Sequence, residues 1–161
     1  MKKYIYTCCV LLATATVAQA QHSSPSPSKQ VVVPKKGAEV PYAIAKNYYV
    51  KNSYPEKGIH AMQLKSQQEF DQVFGMAPLA TKDGNPTAID FSKKMVLALV
   101  NGSSNNVADL RVKSLTKVGK KLQVNYTLVT TPAPQSFTSR YCHLLIIDKK
   151  YAGNQVVLTA L

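Results

Sequence analysis

The sequence predicts a mainly β domain of the α+β class, an antiparallel β-sheet or β-sandwich with one short N-terminal helix. Three observations carry this. Met95 to Val100 is an unbroken apolar run of six residues bounded by Lys93-Lys94 and Asn101-Gly102, as a central strand buried on both faces requires. Two longer segments alternate strictly: Ala108, Leu110 and Val112 with Asp109, Arg111 and Lys113, then Leu122, Val124, Tyr126 and Leu128 with Gln123, Asn125 and Thr127. Ser66-Gln67-Gln68-Glu69 is a capping box that opens a helical spacing: the Ser66 hydroxyl should accept from the Glu69 N–H, and the Glu69 carboxylate should reach back to the Ser66 N–H. No helical pattern follows the later strands, which argues against a doubly wound parallel sheet.

Lys2 and Lys3 precede an apolar stretch from Tyr4 to Val17 that closes on Ala18-Gln19-Ala20, so residues 1–20 read as a secretory signal peptide. The run is too short for a typical membrane-spanning helix of about 20 residues. Cys8 and Cys9 come before Leu11 and Leu12, too early for a lipid-bearing cysteine, so a lipoprotein is not expected. Export would deliver the chain to the periplasm or the medium. Residues 21–41, rich in Ser, Pro and Lys, lack the apolar periodicity needed to offset ordering entropy and read as a flexible tether. Within it, Val31–Val33 has strand character, weakened by Pro34 and Lys35. Residues 42–161 then form a single β-rich domain.

Tyr48-Tyr49-Val50 suits a short edge strand, Asn52 to Gly58 a turn-rich loop, and Ile59 to Leu64 a strand or a lead-in to the helix. In the helix Phe70, Val73 and Phe74 share one apolar face, and Gly75 is expected to end it in a left-handed conformation. A loop with Pro78 and Asp83-Gly84-Asn85-Pro86 leads to the central strand. The alternating segments should form a hairpin turning at Gly119-Lys120-Lys121, with a bulge near Ser114, because Leu115 otherwise falls on the polar side. Thr131-Pro132-Ala133-Pro134-Gln135-Ser136 should interrupt the sheet, since proline donates no ladder hydrogen bond. Tyr141 to Ile147 resumes as a strand, Asp148 to Asn154 turns, and Gln155 to Leu161 closes the chain as a strand.

Motifs for chemistry are scarce. After leader removal the histidines are His22, His60 and His143 and the cysteine is Cys142, a poor zinc inventory without Cys-x-x-Cys or His-Glu-x-x-His spacing. Cys142 and His143 are neighbours in a strand and point to opposite faces, so they do not make a nucleophile and base; Cys142 reads as a buried small hydrophobe. There is no Gly-x-Ser-x-Gly elbow and no phosphate-cradling Gly-Lys-Ser/Thr. No cofactor, metal or catalytic residue is assigned, and an enzyme is not expected.

The chain carries 20 Lys plus Arg against 8 Asp plus Glu, a net charge of +12; cleavage of residues 1–20 would remove two lysines and leave +10. Only two of the bases are arginine. A dispersed, Lys-dominated surface fits solubility and weak attraction to anionic envelope polymers better than specific nucleic-acid recognition.

Asp90-Phe91 followed by Ser92-Lys93-Lys94, the strand Met95–Val100 and Asn101-Gly102 resembles the opening of the PrcB-like C-terminal domain family. The similarity runs through the hairpin to Ser139-Arg140-Tyr141-Cys142-His143-Leu144-Leu145-Ile146-Ile147 and covers about residues 59–161. The helix Gln67 to Phe74 with Gly75 suits the same arrangement. Two departures stand out: Ser103-Ser104-Asn105-Asn106 replaces the family's Gly-Gly-Tyr-like loop, and Arg140 replaces a Pro. The resemblance implies a non-enzymatic, protein-binding module, its name-giving relatives being exported lipoproteins or secreted subunits needed for assembly or stability of a surface protease complex.

The expected function is an exported, monomeric domain that binds another exported protein and assists the assembly or stability of a protease. Two polar loops are the candidate contacts, one with Asn101, Ser103, Ser104, Asn105 and Asn106, the other with Pro132, Pro134, Gln135, Ser136, Phe137 and Arg140. The alternatives are a direct protease inhibitor acting through those loops and a weak binder of anionic envelope polysaccharide.

Overall fold

The computed structural model describes residues 37–54 and 57–161. The expected leader, most of the tether with its Val31–Val33 run, and Pro55 and Glu56 lie outside the described residues. The chain is mainly β. Strands β1 (Ala38–Glu39), β2 (Ala43–Ala45), β3 (Tyr48–Val50) and β4 (His60–Leu64) precede helix α1 (Gln67–Val73). After it come β5 (Phe74–Met76), β6 (Lys94–Val100), β7 (Ser104–Val118), β8 (Lys121–Ser139) and β9 (Cys142–Asp148). A 3-10 turn (Lys149–Tyr151) leads to β10 (Gln155–Ala160).

The strands form two four-stranded sheets, ordered β1-β7-β8-β10 and β2-β9-β6-β4, with β3 and β5 pairing separately. The sheet containing β6 is the middle layer. On one side Met95, Leu97, Leu145 and Ile147 meet Leu115, Leu122 and Val124 of the long hairpin, and Leu99 meets Leu110 and Tyr126. On the other side Val96, Ala98, Val100 and Leu144 meet Phe70, Val73 and Phe74 of the helical segment. All six residues from Met95 to Val100 are 0–1% exposed, which is why their sequence is apolar without alternation. The two large sheets are laced together at one edge, where the Gln63 amide of β4 donates to Asn154 O and accepts from the Gly153 N–H. At the other edge the chain itself passes from β1 into β2, with Val40, 1% exposed, in the core between them.

Several local expectations hold. Ser66 Oγ accepts from the Glu69 N–H at 3.2 Å and caps α1. The hairpin turns at Gly119, φ +60°, and its register slips between Val112 and Ser114, which returns Leu115 to the core at 0% exposure.

Other expectations are corrected. The Glu69 carboxylate reaches the Lys65 N–H at 2.6 Å, one residue before the cap, not the N–H of Ser66. Gly75 is not a left-handed helix end: the chain passes directly from α1 into β5, and Gly75 pairs with Tyr49. A Cβ there would lie 2.5 Å from the Tyr49 ring, so glycine serves close approach rather than positive φ. The fold begins before residue 42, because Ala38 and Glu39 pair with Lys117 and Thr116 and Val40 is core, residues placed in the tether by composition. One pairing is parallel, β10 with β8. Since β9 lies in the other sheet, the chain crosses over and returns in its original direction, which an antiparallel expectation does not foresee. Pro132 and Pro134 do not end the sheet; β8 continues to Ser139.

Leu97→Ala should lower the unfolding free energy by about 2–5 kcal/mol in urea titration, as deletion from a site with no free surface does. Gly84→Ala should cost roughly 1–3 kcal/mol despite its loop position, because its new methyl would meet the backbone O of Leu79 at 1.9 Å and the loop would have to open.

Candidate functional site

The two candidate loops are brought together as one structure. Ser104 faces Ser139 and Asn106 faces Pro134, so segments 104–107 and 131–139 form the distal part of the β7–β8 hairpin. Pairing there is irregular: between Val107 and Asn106 on β7 the partner advances from Thr131 to Pro134, and by Ser104 it has reached Ser139. The surplus residues on β8 are bulged out of the ladder. Ser104 Oγ accepts the Asn106 N–H at 3.1 Å and stiffens the opposing strand at that point.

The prolines are tolerated for a positional reason. The Leu161 N–H donates to Tyr126 O at 2.9 Å, so even-numbered residues of β8 direct their backbone groups toward β10. β10 ends at Ala160 opposite Tyr126, and beyond it no described strand pairs with that edge. Continuing the alternation places the missing N–H of Pro132 on the open edge, where no ladder bond is lost. The same placement discourages further strand addition.

The individual residues divide by role. Asn101 is tied through its N–H to Tyr141 O at 2.8 Å, and Arg140 donates through Nη1 to Lys51 O at 2.8 Å, so these two anchor the base of the ribbon. Ser103, Asn105, Pro132, Pro134, Ser136 and Phe137 are exposed, and Phe137 is 59% exposed. Ser104, Asn106 and Gln135 are half-buried. Val107 and Val129, 40% and 59% exposed, extend the apolar surface and escaped the sequence reading. The signal was present in the alternation: both share the solvent parity of Asp109 and Arg111, which pair with each other at 2.8 Å on the same face.

Among the described residues, reactive side chains do not converge. The Cys142 thiol packs among the residues under α1, and burial pushes its pKa up to about 11, so it is neutral at ordinary pH. Burial lowers the pKa of His143, opposed by a hydrogen bond with the Leu110 backbone and by the Asp109 charge, which places the ring on the hairpin side of the sheet. His60 shares the α1 side with Cys142, but Val100 of β6 stands between their strands, about 10 Å apart. His60 instead stacks on Tyr54, centroids 5.6 Å apart, with Nε2 3.1 Å from the Tyr54 hydroxyl. Among the described residues no three His, Cys, Asp or Glu side chains gather to hold a metal ion, and no helix is long and apolar enough to cross a membrane.

The Asp90-Phe91 pair has a structural task. Asp90 Oδ1 accepts the Ser92 N–H and hydroxyl, and these hydrogen bonds, with smaller help from Lys93 and Lys149, hold its carboxyl below the usual range. Phe91 packs against Phe70, centroids 5.8 Å apart. The pair thus sets the chain's entry into β6. No family model, curated protein or solved structure matches this chain.

The Cys142 environment gives a measurable outcome. At pH 8 a thiol reagent should leave Cys142 unmodified in the folded chain and label it rapidly in urea, as read by mass mapping of its peptide. Because its folded pKa is raised from 9.0 to about 11, its contribution is fully present below pH 9 and is lost as pH rises toward 11. The stability advantage of the native chain over Cys142→Ala should shrink by about 2–3 kcal/mol across that window.

Proposed function

We propose that this chain is an exported, non-enzymatic domain that binds another exported protein through the distal ribbon of its long hairpin, and that the partner is a protease whose assembly or stability it assists. The observation that carries the reading is the ribbon itself. Val107 and Phe137 present exposed apolar side chains on a two-stranded extension whose base is tied to the body by Asn101 and Arg140, and Val129, opposite Asp109 in the adjoining ladder, continues that surface. Exposed large apolar side chains held on a stiff support offer a partner contact area at little ordering cost. The resemblance of residues 59–161 to the PrcB-like family supports a protease complex as the setting. A stabilising subunit leaves hydrolysis by its partner intact, whereas an inhibitor wedged into the cleft abolishes it.

The test is capture by the tagged chain from its own cell envelope and medium, comparing the native protein with Val129→Ser/Phe137→Ser. Both positions face solvent, so the β circular-dichroism signal and melting temperature should stay near native. Recovery of the partner should fall by about tenfold or more, the loss expected when central apolar contacts are truncated. An unchanged set and amount of captured proteins would sink the ribbon as the contact surface.

A further inference from the structure

At the opposite end of the middle sheet from the ribbon, where Lys94 pairs with Asp148, the surface forms a cleft of about 270 Å³. Tyr42 and Tyr151 line it, with Ile146 among its apolar lining, and its charged residues are Lys94, Asp148 and Lys150. The three charges are organised by the fold. Asp148 Oδ1 accepts the Lys150 N–H at 2.9 Å as cap of the 3-10 turn, and its Oδ2 lies 3.6 Å from Lys94 Nζ. The Lys150 ammonium stands over the Tyr151 ring, 5.2 Å from its centroid, and makes no salt bridge among the described residues. Asp148 is therefore engaged by Lys94 and by the turn, while the Lys150 ammonium is left without a carboxylate among the described residues, and Tyr42 and Tyr151 line the same cleft.

We propose that this cleft binds one anionic sugar ring of a polysaccharide, a uronate unit being the simplest ligand of that chemistry. An aromatic wall receives the C–H face of a sugar ring, a tyrosine hydroxyl at its rim meets ring hydroxyls, and a carboxylate settles between Lys94 and Lys150. The volume lies just below the ~300–1,000 Å³ of typical small-molecule sites, which suits a single ring gripped as part of a chain. The site is independent of the ribbon and of any protein partner. It differs from diffuse attraction to dispersed lysines, because here one ammonium stands over an aromatic ring and a second lines the same cleft, paired to Asp148.

The experiment is titration of the full chain with a galacturonate trisaccharide at 0.15 M salt, by calorimetry and by NMR of backbone amides. A neutral glucose trisaccharide and a short peptide with a free carboxylate serve as comparison probes. Two double variants remove equal charge: Lys94→Gln/Lys150→Gln in the cleft, and Lys82→Gln/Lys113→Gln away from it. Circular dichroism checks that both remain folded. Saturable binding of the galacturonate, shifts at Tyr42 and Tyr151, a loss of about tenfold or more in the cleft variant and less than twofold in the other would support the site. Tyr42→Ser should weaken binding severalfold with the charge unchanged. Absence of galacturonate binding, equal losses in the two double variants, or equal or tighter binding of either comparison probe would overturn it.

Discussion

The structure depends on the burial of β6 on both faces. A strand with every side chain from Met95 to Val100 removed from water needs a covering layer on each side. The chain covers one face with the long β7–β8 hairpin and the other with a seven-residue helix and the β3–β5 pair. Such a short helix has little stability of its own. It persists because Phe70 packs on Tyr48, Phe74 and Phe91, with centroids 4.9, 5.1 and 5.8 Å away, so one aromatic cluster closes the layer that the helix alone leaves incomplete.

The same constraint explains the excess length of the hairpin. Leu110, Leu115, Leu122, Val124 and Tyr126 complete the inner layer, and this occupies only the proximal part of β7 and β8. What continues past Val107 and Thr131 is not needed to cover β6. That segment keeps its strand pairing through bulges, with the Pro132 nitrogen turned to an edge where no N–H is required, and with Phe137 exposed. A connection needed only to return the chain to β9 has no reason to keep that length or an exposed Phe137.

The middle strand, the helix cap, the hairpin and its bulge were legible in the sequence because each follows from a local period or a side chain answering a nearby backbone group. What escaped depends on partners distant in the chain. Val40 reads as tether by composition and becomes core because β1 finds Lys117 and Thr116. Gly75 reads as a helix stop and is a seat for the ring of Tyr49. Pro132 reads as a sheet breaker, and only the end of β10 at Ala160 shows that its edge is bare. The candidate loops were chosen for polarity, but their meaning lies in being opposite each other, which register across a bulged hairpin determines and composition does not.

Charge follows the same division between what composition states and what geometry adds. The basic surplus describes a field over the surface, and most lysines contribute only to that field. Among the described residues two carboxylates take part in salt bridges, and one of them, Asp148, also caps the turn that carries Lys150. A single carboxylate therefore touches both lysines, the ammonium of Lys94 and the backbone of Lys150. Both lysines line the same cleft as Asp148. The proposed site rests not on the amount of charge but on one side chain that fastens a turn of the backbone and an ammonium group together, at the end of a strand whose core residues are buried.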